Sequence, residues 1–241
     1  MEILITNDDG YQAKGIAVLI RQMELLGHVT VVAPDGARSG MSNAITVARR
    51  MTLRHIEHTD RHDIYITNGT PSDCVKLAIN IIYRQQLPDL LVSGINHGSN
   101  ASVNIIYSGT MGACLVGAEQ SIPSIGFSLC DYLPDADFSF LEPHIIPITR
   151  QLIERGFPDG VCYNVNAPVG ELKGVLFTRH ARAHWVNEID TRFDENGEPY
   201  YWLQGDFENL EPDATDTDEY ALAHGFIAIS PASVDMTAKC C

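Results

Sequence analysis

The chain has 241 residues, of which 45% are hydrophobic and 20% charged, values typical of one large globular domain or of a domain with an appendage. Its 31 acidic and 16 basic residues give a formal net charge of −15. Because nucleic-acid duplexes and anionic lipid surfaces are bound through Lys and Arg, this balance argues against both as partners, whereas a small anionic substrate stays compatible through a bound cation.

The cysteines and the beginning of the chain indicate the cellular compartment. The six cysteines are scattered and form no CxxC pair, so neither a zinc site nor a disulfide framework is expected. The chain begins MEILIT, without a basic segment or a long apolar one, and no stretch approaches the ~20 apolar residues of a membrane span. We therefore expect a cytoplasmic protein with reduced thiols.

Short apolar runs alternate with helical periodicity in the first half of the chain. A Thr-Pro-Ser-Asp segment beginning at Thr70 predicts a helix start, with Thr70 as cap and Asp73 completing a capping box. This alternation predicts an α/β fold with a mostly parallel sheet and helices on both faces. The predicted strands are 1–6, 28–33, 46–54, 64–67, 90–92 and 123–128, and the predicted helices are 16–26, 71–83 and 109–120.

The second half of the chain has a different composition. Residues 188–219 contain twelve acidic residues and one basic residue, which favours a solvated extended arm or a partly disordered loop. Its aromatic residues, such as Trp202, favour the alternative of an arm that packs on a neighbouring subunit. We divide the chain into a core, 1–180, and an oligomerisation arm that returns to the core, 181–241. The elements predicted here are a helix at 140–155 and strands at 161–165, 175–178 and 226–230.

Three polar clusters follow predicted parallel strands, at 7–10, 35–43 and 93–110. In an open parallel sheet, ligands bind beyond the carboxyl ends of the strands, so we expect these clusters to converge at one edge. Adjacent carboxylates repel each other unless a cation compensates them or one takes up a proton. The alternative for Asp8 and Asp9 is a simple turn before Gly10.

The polar side chains in these clusters predict a site for a hard cation, because oxygen ligands suit Mg²⁺ or Mn²⁺ better than zinc. The candidate metal ligands are Asp8, Asp9, Ser39 and Asn96.

A second feature of the same clusters predicts phosphate binding. The segment Ser108-Gly109-Thr110 begins a helix, whose free amides and two hydroxyls suit a phosphate, and Asn43 is an uncharged donor within reach of the same edge. The alternative for Ser108 is ordinary helix capping. The chain contains no GxxxxGK[ST], GxGxxG, GxSxG or HExxH motif, so P-loop, dinucleotide-binding, serine-hydrolase and zincin functions lose their main support.

Three histidines, His55, His58 and His62, lie close together in the sequence. They flank charged residues in a predicted exposed hairpin. We interpret them as surface histidines rather than as metal ligands.

Motifs spread over nearly the whole chain carry a family resemblance. In set and order they closely resemble the SurE (stationary-phase survival protein E) nucleotidases. They read ILITNDDG at 3–10, APDGARSGMSNAIT at 33–46, NGTPSDCVKLA at 68–78, PDLLVSGINHGSN at 88–100, a segment from YSGT to GFS at 107–128, YNVNAP at 163–168, YYWLQGD at 200–206 and FIAISPASVDMTA at 226–238.

The resemblance implies a Rossmann-like core, one divalent cation (Mg²⁺ or Mn²⁺) per subunit, and hydrolysis of nucleoside 5′- and 3′-monophosphates to nucleoside and phosphate. The metal ligands of the family correspond to the four residues selected above. The resemblance also implies a homodimer or homotetramer with C-terminal segments extended or exchanged between subunits. Asp235 matches the family, but Lys239 stands where many members have histidine, so no active-site role is carried over to Lys239.

The resulting hypothesis is metal-dependent hydrolysis of a phosphomonoester, with Asp8 and Asp9 as catalytic residues. Asp9 is the preferred base, and either water or an aspartate can be the attacking nucleophile. The alternative is a module without turnover, either nucleotide-binding or receiver-like. A receiver-like domain needs an Asp at the end of its third parallel strand, where this chain has Ser93.

Overall fold

The computed structural model describes residues 1–133 and 135–238. In this part of the chain, nine strands form one sheet in the order β3-β4-β2-β1-β5-β6-β7-β13-β8. Strands β4, β2, β1, β5, β6 and β7 run parallel to one another. Strand β3 is antiparallel to β4, and β13 is antiparallel to β7 and parallel to β8. The strands of this sheet are β1 (Glu2–Thr6), β2 (His28–Pro34), β3 (Leu53–His58), β4 (His62–Thr67), β5 (Leu90–His97), β6 (Ser124–Leu129), β7 (Val161–Ala167), β8 (Val175–Phe177) and β13 (Ile227–Ser233).

Helices cover both faces of the sheet, as the sequence predicts. Alternate residues of β1 point to opposite faces, so Ile5 packs in one hydrophobic core and Leu4 in the other. Helices α1 and α4 complete the first core, and α2 and α3 complete the second. Their bounds are α1 (Lys14–Met23), α2 (Pro71–Leu77), α3 (Gly109–Glu119) and α4 (Glu142–Arg155). The predicted α/β class with a mostly parallel sheet is therefore confirmed.

The start of α2 forms the capping box that the sequence predicts. The Thr70 hydroxyl accepts a hydrogen bond from the Asp73 amide, and the Asp73 carboxylate accepts one from the Thr70 amide. The helix continues into a π-helical turn, Ala78–Ile82, so it ends close to the predicted residue 83.

The predicted strand at 46–54 is wrong over most of its length, because β3 begins only at Leu53. The Thr46 amide donates to the Asp73 carboxylate and the Thr52 amide donates to the Asn68 side chain. Side chains therefore satisfy backbone groups that a strand would have paired with a neighbouring strand.

The acidic stretch contains regular structure rather than a partly disordered loop. Strands β10 (Ile189–Phe193) and β11 (Pro199–Leu203) form an antiparallel hairpin, and β9 (Ala183–Val186) pairs with β12 (Asp206–Asn209). The hairpin is extended and exposed, with Trp202 54% accessible. A short helix, α5 (Asp218–Ala223), then leads into β13, which pairs with β7 in the core sheet. Lys239, Cys240 and Cys241 lie outside the described residues.

None of the helices in the described ranges is both long enough and apolar enough to cross a bilayer.

Candidate active site

The carboxyl ends of β1, β2 and β5 bring the predicted polar clusters to one edge of the sheet. The loops after β1 and β2 are in direct contact, since the Arg38 amide donates to the Asp8 carbonyl oxygen at 2.6 Å. Gly10 has a φ of +97°, and a Cβ atom there would lie 3.1 Å from the carbonyl carbon of Gly36. Glycine at position 10 therefore permits the two loops to pack this closely.

Asp8 is the buried carboxylate of the site, with only 4% of the residue accessible. Its Oδ1 accepts a hydrogen bond of 2.6 Å from the Thr110 hydroxyl at the start of α3. Burial raises the pKa of Asp8 to about 6, and the adjacent Asp9 charge adds to the rise, while the Thr110 hydrogen bond opposes it. A carboxylate that is buried beside a second carboxylate favours a compensating cation.

Asp9 is partly buried next to Asp8. Its Oδ2 accepts a hydrogen bond of 3.2 Å from the backbone amide of His97, at the end of β5. Burial raises the pKa of Asp9, although the amide and the nearby His97 side chain lower it. The first and third clusters therefore meet at this carboxylate.

Asn96 lies on β5 itself, next to an irregularity in its pairing with β6 between Ser93 and Asn96. Its side-chain nitrogen donates to the Gly98 carbonyl oxygen at 2.9 Å and to the His97 carbonyl oxygen at 3.3 Å. This orientation leaves the amide oxygen of Asn96 to serve as a ligand.

A cleft of about 230 Å³ joins several of the predicted residues. Asp8, Ser39, Asn96 and Ser108 all line it. Ser39 lies in the loop after β2 and is exposed, so it approaches the cleft from the solvent side. The structure thus brings together candidate metal ligands and the start of α3.

The beginning of α3 packs directly against the Asp8 side chain. A Cβ atom at Gly109 would lie 3.0 Å from Asp8 Oδ2, so glycine permits this close approach. Both hydroxyls of the segment are engaged, because Ser108 Oγ accepts from the Met111 amide and Thr110 Oγ1 donates to Asp8. The amides of Gly109 and Thr110 belong to the first helical turn, where an N–H group has no partner within the helix. The predicted phosphate-binding role of this segment therefore rests on these amides more than on the hydroxyls.

The predicted phosphate donor Asn43 and the cleft-lining Asn100 have different positions. Asn43 is exposed and lies against α3, since a Cβ atom at Gly112 would be 2.6 Å from its Oδ1. Asn100 is buried, and its side-chain nitrogen donates to Ser128 Oγ at 2.9 Å. Asn43 therefore stays a candidate, whereas Asn100 belongs to the internal hydrogen-bond network.

The sequence analysis missed the aromatic walls of the cleft, Tyr107, Tyr132 and Trp185. The Trp185 indole nitrogen donates to Asn104 Oδ1 at 2.9 Å, which fixes the ring. Tyr107 and Tyr132 are 51% and 68% accessible. The three aromatic residues come from separate segments of the chain, and the position of Tyr107 next to Ser108 is the only signal in the sequence that could have indicated one of them.

A larger cleft of about 640 Å³ lies at the opposite edge of the sheet. Its lining includes Met1 and Asp89, which precede β1 and β5, and apolar side chains such as Phe157. The carboxylates of the candidate site are at the other ends of these strands, so this cleft takes no part in their chemistry.

The oxygen donors at the carboxyl ends of β1, β2 and β5 fit a hard divalent cation. Asp8, Asp9, Asn96 and Ser39 offer only oxygen ligands, and burial disfavours two adjacent negative charges without a cation.

Comparison with known proteins identifies the family. The family model described as survival protein SurE matches residues 3–187. The chain belongs to the SurE family. This membership confirms the resemblance seen in the sequence motifs.

The relatives extend the similarity over nearly the full chain. The 5′-nucleotidase SurE of Flavobacterium psychrophilum is 47% identical over 98% of this chain and 93% of its own length. The 5′-nucleotidase SurE of Phocaeicola vulgatus is 46% identical over 98% of this chain and 92% of its own length. The crystal structure of the SurE protein from Aquifex aeolicus superposes with a TM-score of 0.85 at 32% identity, covering 98% of this chain and 95% of that one.

Proposed function

We propose that the chain is a divalent-metal-dependent phosphatase that hydrolyses nucleoside 5′- and 3′-monophosphates to nucleoside and phosphate. The observation that carries the proposal is the packing of Asp8, the neighbour of Asp9, against the first turn of α3, through the Thr110–Asp8 hydrogen bond of 2.6 Å. SurE relatives named 5′-nucleotidases support the substrate class.

One divalent cation per subunit, Mg²⁺ or Mn²⁺, would be held by Asp8, Asp9, Ser39 and Asn96. When bound, such a cation supplies a Lewis acid that offsets the negative charge on the phosphoryl group. The protein contributes two carboxylates that burial makes costly without a cation, and an Asn96 side chain oriented through its contact with Gly98.

The first turn of α3 would position the phosphate. The amides of Gly109 and Thr110 provide donors next to Asp8, and the positive end of the helix dipole favours an anion there. Ser108 caps the helix and thereby fixes the direction of these amides. Asn43, on the solvent side of the same helix, would bind an outer phosphate oxygen.

Proton transfer is assigned to Asp9. It is less buried than Asp8, and the hydrogen bond from His97 engages only its Oδ2. Its Oδ1 can accept a proton from an attacking water, while Asp8, which is bonded to Thr110, keeps a fixed position. An aspartate nucleophile is the competing route, and the configuration at phosphorus of a chiral phosphoryl ester separates the two, because a single attack by water inverts it and two successive displacements through an aspartyl-phosphate retain it.

The nucleoside would lie along the aromatic walls of the cleft. Tyr107, Tyr132 and Trp185 offer ring faces on which a base can stack, a contact that tolerates different bases. Their position at the mouth of the cleft fits a substrate whose phosphate points inward toward Asp8.

Phosphate release from 5′-AMP and 3′-AMP, measured with Mg²⁺ or Mn²⁺ and with EDTA, tests the function. We expect activity that EDTA abolishes and that Asp8→Asn and Asp9→Asn each lower by at least about 10²-fold. Asp60→Asn, which changes an exposed carboxylate between β3 and β4, is the matched control for folding. Activity that survives EDTA and both substitutions would refute the metal mechanism. Binding of AMP without phosphate release would instead support a binding module.

The proposal places the protein in the cytoplasm as a homodimer or homotetramer. The exposed apolar side chains of the β10–β11 hairpin support assembly, since Phe193, Tyr201 and Trp202 are each more than half accessible. Light scattering coupled to size-exclusion chromatography gives the mass directly. We expect a multiple of the chain mass, and Trp202→Ser should weaken the assembly. A monomer at micromolar concentration would contradict this part.

A further inference from the structure

The β3–β4 hairpin at the edge of the sheet carries a cluster of side chains that the proposed function does not use. His55 and His58 lie on β3, and Asp63 lies near the start of β4. The sequence analysis interpreted these histidines as surface residues, and their side chains are indeed 42% and 70% accessible. The structure adds that they converge on one carboxylate.

A bulge explains why both histidines reach the same side of the hairpin. Residues three apart on a regular strand point to opposite faces, so His55 and His58 should not meet. The pairing of β3 with β4 shifts between His55 and Glu57, which inserts one extra residue into β3. His58 then lies opposite Asp63 and His55 lies opposite Tyr65, two residues further along the same face.

The three side chains place their donor atoms next to one another. His55 Nε2 and His58 Nδ1 each lie 2.8 Å from the same oxygen, Asp63 Oδ1. One nitrogen of each histidine and one oxygen of Asp63 all fall within 4.8 Å of one another. Although burial raises the pKa of Asp63, hydrogen bonds from His58 and His55 outweigh it and hold that pKa below its ordinary value.

The neighbouring His62 is not part of this cluster, although it is close in sequence. Its Nδ1 lies 2.6 Å from Glu24 Oε1 and its Nε2 lies 3.1 Å from Glu57 Oε1, so carboxylates engage both ring nitrogens. His55 and His58 each present a single nitrogen to Asp63. The spacing of the three histidines in the sequence alone gives no indication of this difference.

We propose that His55, His58 and Asp63 form a second cation site, which takes a divalent transition metal such as Zn²⁺ in place of the shared hydrogen bonds. Two imidazole nitrogens and one carboxylate oxygen are ligands that Zn²⁺ accepts, with water completing a tetrahedral shell. Mg²⁺ prefers oxygen ligands, so the two sites select different metals. The ligands are accessible, and a metal can enter without any rearrangement of the core.

Nearby groups favour a cation in this position. His28 Nε2 lies 3.5 Å from Asp63 Oδ2, so the second oxygen of the carboxylate is also held from the side of β2. Carboxylates also pair with the histidines next to the cluster, since Glu24 and Glu57 contact His62 and Glu2 contacts His28. The site would fasten the edge strand β3 to β4.

The cluster is separate from the candidate active site. Asp63 is near the amino end of β4, whereas the catalytic carboxylates lie beyond the carboxyl ends of parallel strands in the same sheet. At about 3.3 Å per residue, the length of β4 separates the two edges by ~16 Å. Zinc binding at the hairpin therefore does not depend on the proposed phosphatase function.

The test is a Zn²⁺ titration followed by calorimetry and by thermal melting, in an excess of Mg²⁺ that occupies the oxygen-only site. We expect one Zn²⁺ per chain and a melting temperature that rises with Zn²⁺. The variants His55→Gln and His58→Gln should each weaken Zn²⁺ binding by at least about tenfold and remove the rise. Asp8→Asn should keep both the Zn²⁺ binding and the rise in melting temperature. The double variant His55→Gln/His58→Gln should keep full Mg²⁺-dependent phosphate release.

His184→Gln is the matched control, because His184 is exposed and its Nε2 bonds a single carboxylate, Glu208, at 3.0 Å. It should bind Zn²⁺ as the wild type does. Absence of a Zn²⁺ binding event under excess Mg²⁺, or equal Zn²⁺ affinity in His55→Gln and His58→Gln, would overturn the proposal. Loss of the Zn²⁺ event in Asp8→Asn alone would place the metal at the other edge and overturn it as well.

Discussion

The Asp218→Asn substitution removes a buried charge that ties the returning C-terminal segment to the core. Asp218 Oδ2 accepts hydrogen bonds from the Ser102 amide at 2.7 Å and faces His180 Nδ1 at 2.9 Å. Its Oδ1 accepts hydrogen bonds from the Ala181 and Glu219 amides, each at 2.9 Å. The residue is completely buried.

The size of the effect follows from these contacts. Asparagine keeps one acceptor oxygen but places an NH₂ group where Ser102 and His180 now meet an oxygen. A hydrogen bond to a charged group contributes about 1.5–3 kcal/mol, and two such contacts are lost. The loss of two contacts of this kind should lower the free energy of unfolding by about 3–5 kcal/mol.

Urea unfolding at a fixed protein concentration measures this change, and thermal melting should show a loss of roughly 10 °C. The matched control is Asp216→Asn, which removes an exposed carboxylate bonded to Arg179 Nε at 2.9 Å and should cost about 0–1 kcal/mol. Equal, small losses in both variants would refute the assignment of Asp218 as a buried anchor.

The pH dependence gives a second check on Asp218. Burial raises its pKa, but hydrogen bonds from His180 and the Ser102 amide outweigh burial and hold that pKa below the ordinary 3.8. A lowered carboxylate pKa contributes stability that is present above the unfolded pKa and is lost as pH falls through the folded one. The difference between wild type and Asp218→Asn should therefore be constant near neutral pH and shrink below about pH 4. A difference that grows in acid would contradict the ionised state of Asp218.

Thr110→Val deletes the hydrogen bond to Asp8 with little change of volume, so kcat/KM for AMP should fall by about 5–100-fold; an unchanged value would contradict the role of this contact. Trp185→Ala removes a wall of the cleft, so KM for AMP should rise while the rate with glycerol 2-phosphate, which has no ring to stack, stays the same. Equal loss with both substrates would contradict base stacking. Burial and the Asp218 charge raise the pKa of Glu219 to about 7 from an ordinary 4.5, so ionisation of Glu219 destabilises the fold as pH rises through this range. The melting temperature of Glu219→Gln should therefore exceed that of the wild type by more at pH 8 than at pH 4.5. An equal difference at both pH values would contradict the raised pKa.

The sheet was predictable where burial dictates the pattern. The strand that contains Leu4 and Ile5 is apolar on both faces because helices cover both, and such runs are visible in the sequence. The start of β3 was not predictable, because the amides of Thr46 and Thr52 bond to side chains that come close only in the folded chain.

The candidate site was predictable to the extent that it follows strand ends. Asp8, Ser39 and Asn96 follow or end parallel strands, and the topology brings them to one cleft. Tyr132 and Trp185 carry no comparable pattern, since their place in the cleft depends on long-range packing. Likewise, no sequence period shows that a bulge turns His55 and His58 to the same side.

The most direct test of the central claim is an anomalous difference map from a crystal soaked with Mn²⁺ and inorganic phosphate. We expect a Mn²⁺ peak in direct contact with carboxylate oxygens of Asp8 and Asp9 and with the Asn96 side-chain oxygen, and a phosphate against the first turn of α3. A map without Mn²⁺ at these carboxylates, with phosphate bound elsewhere, would contradict the account.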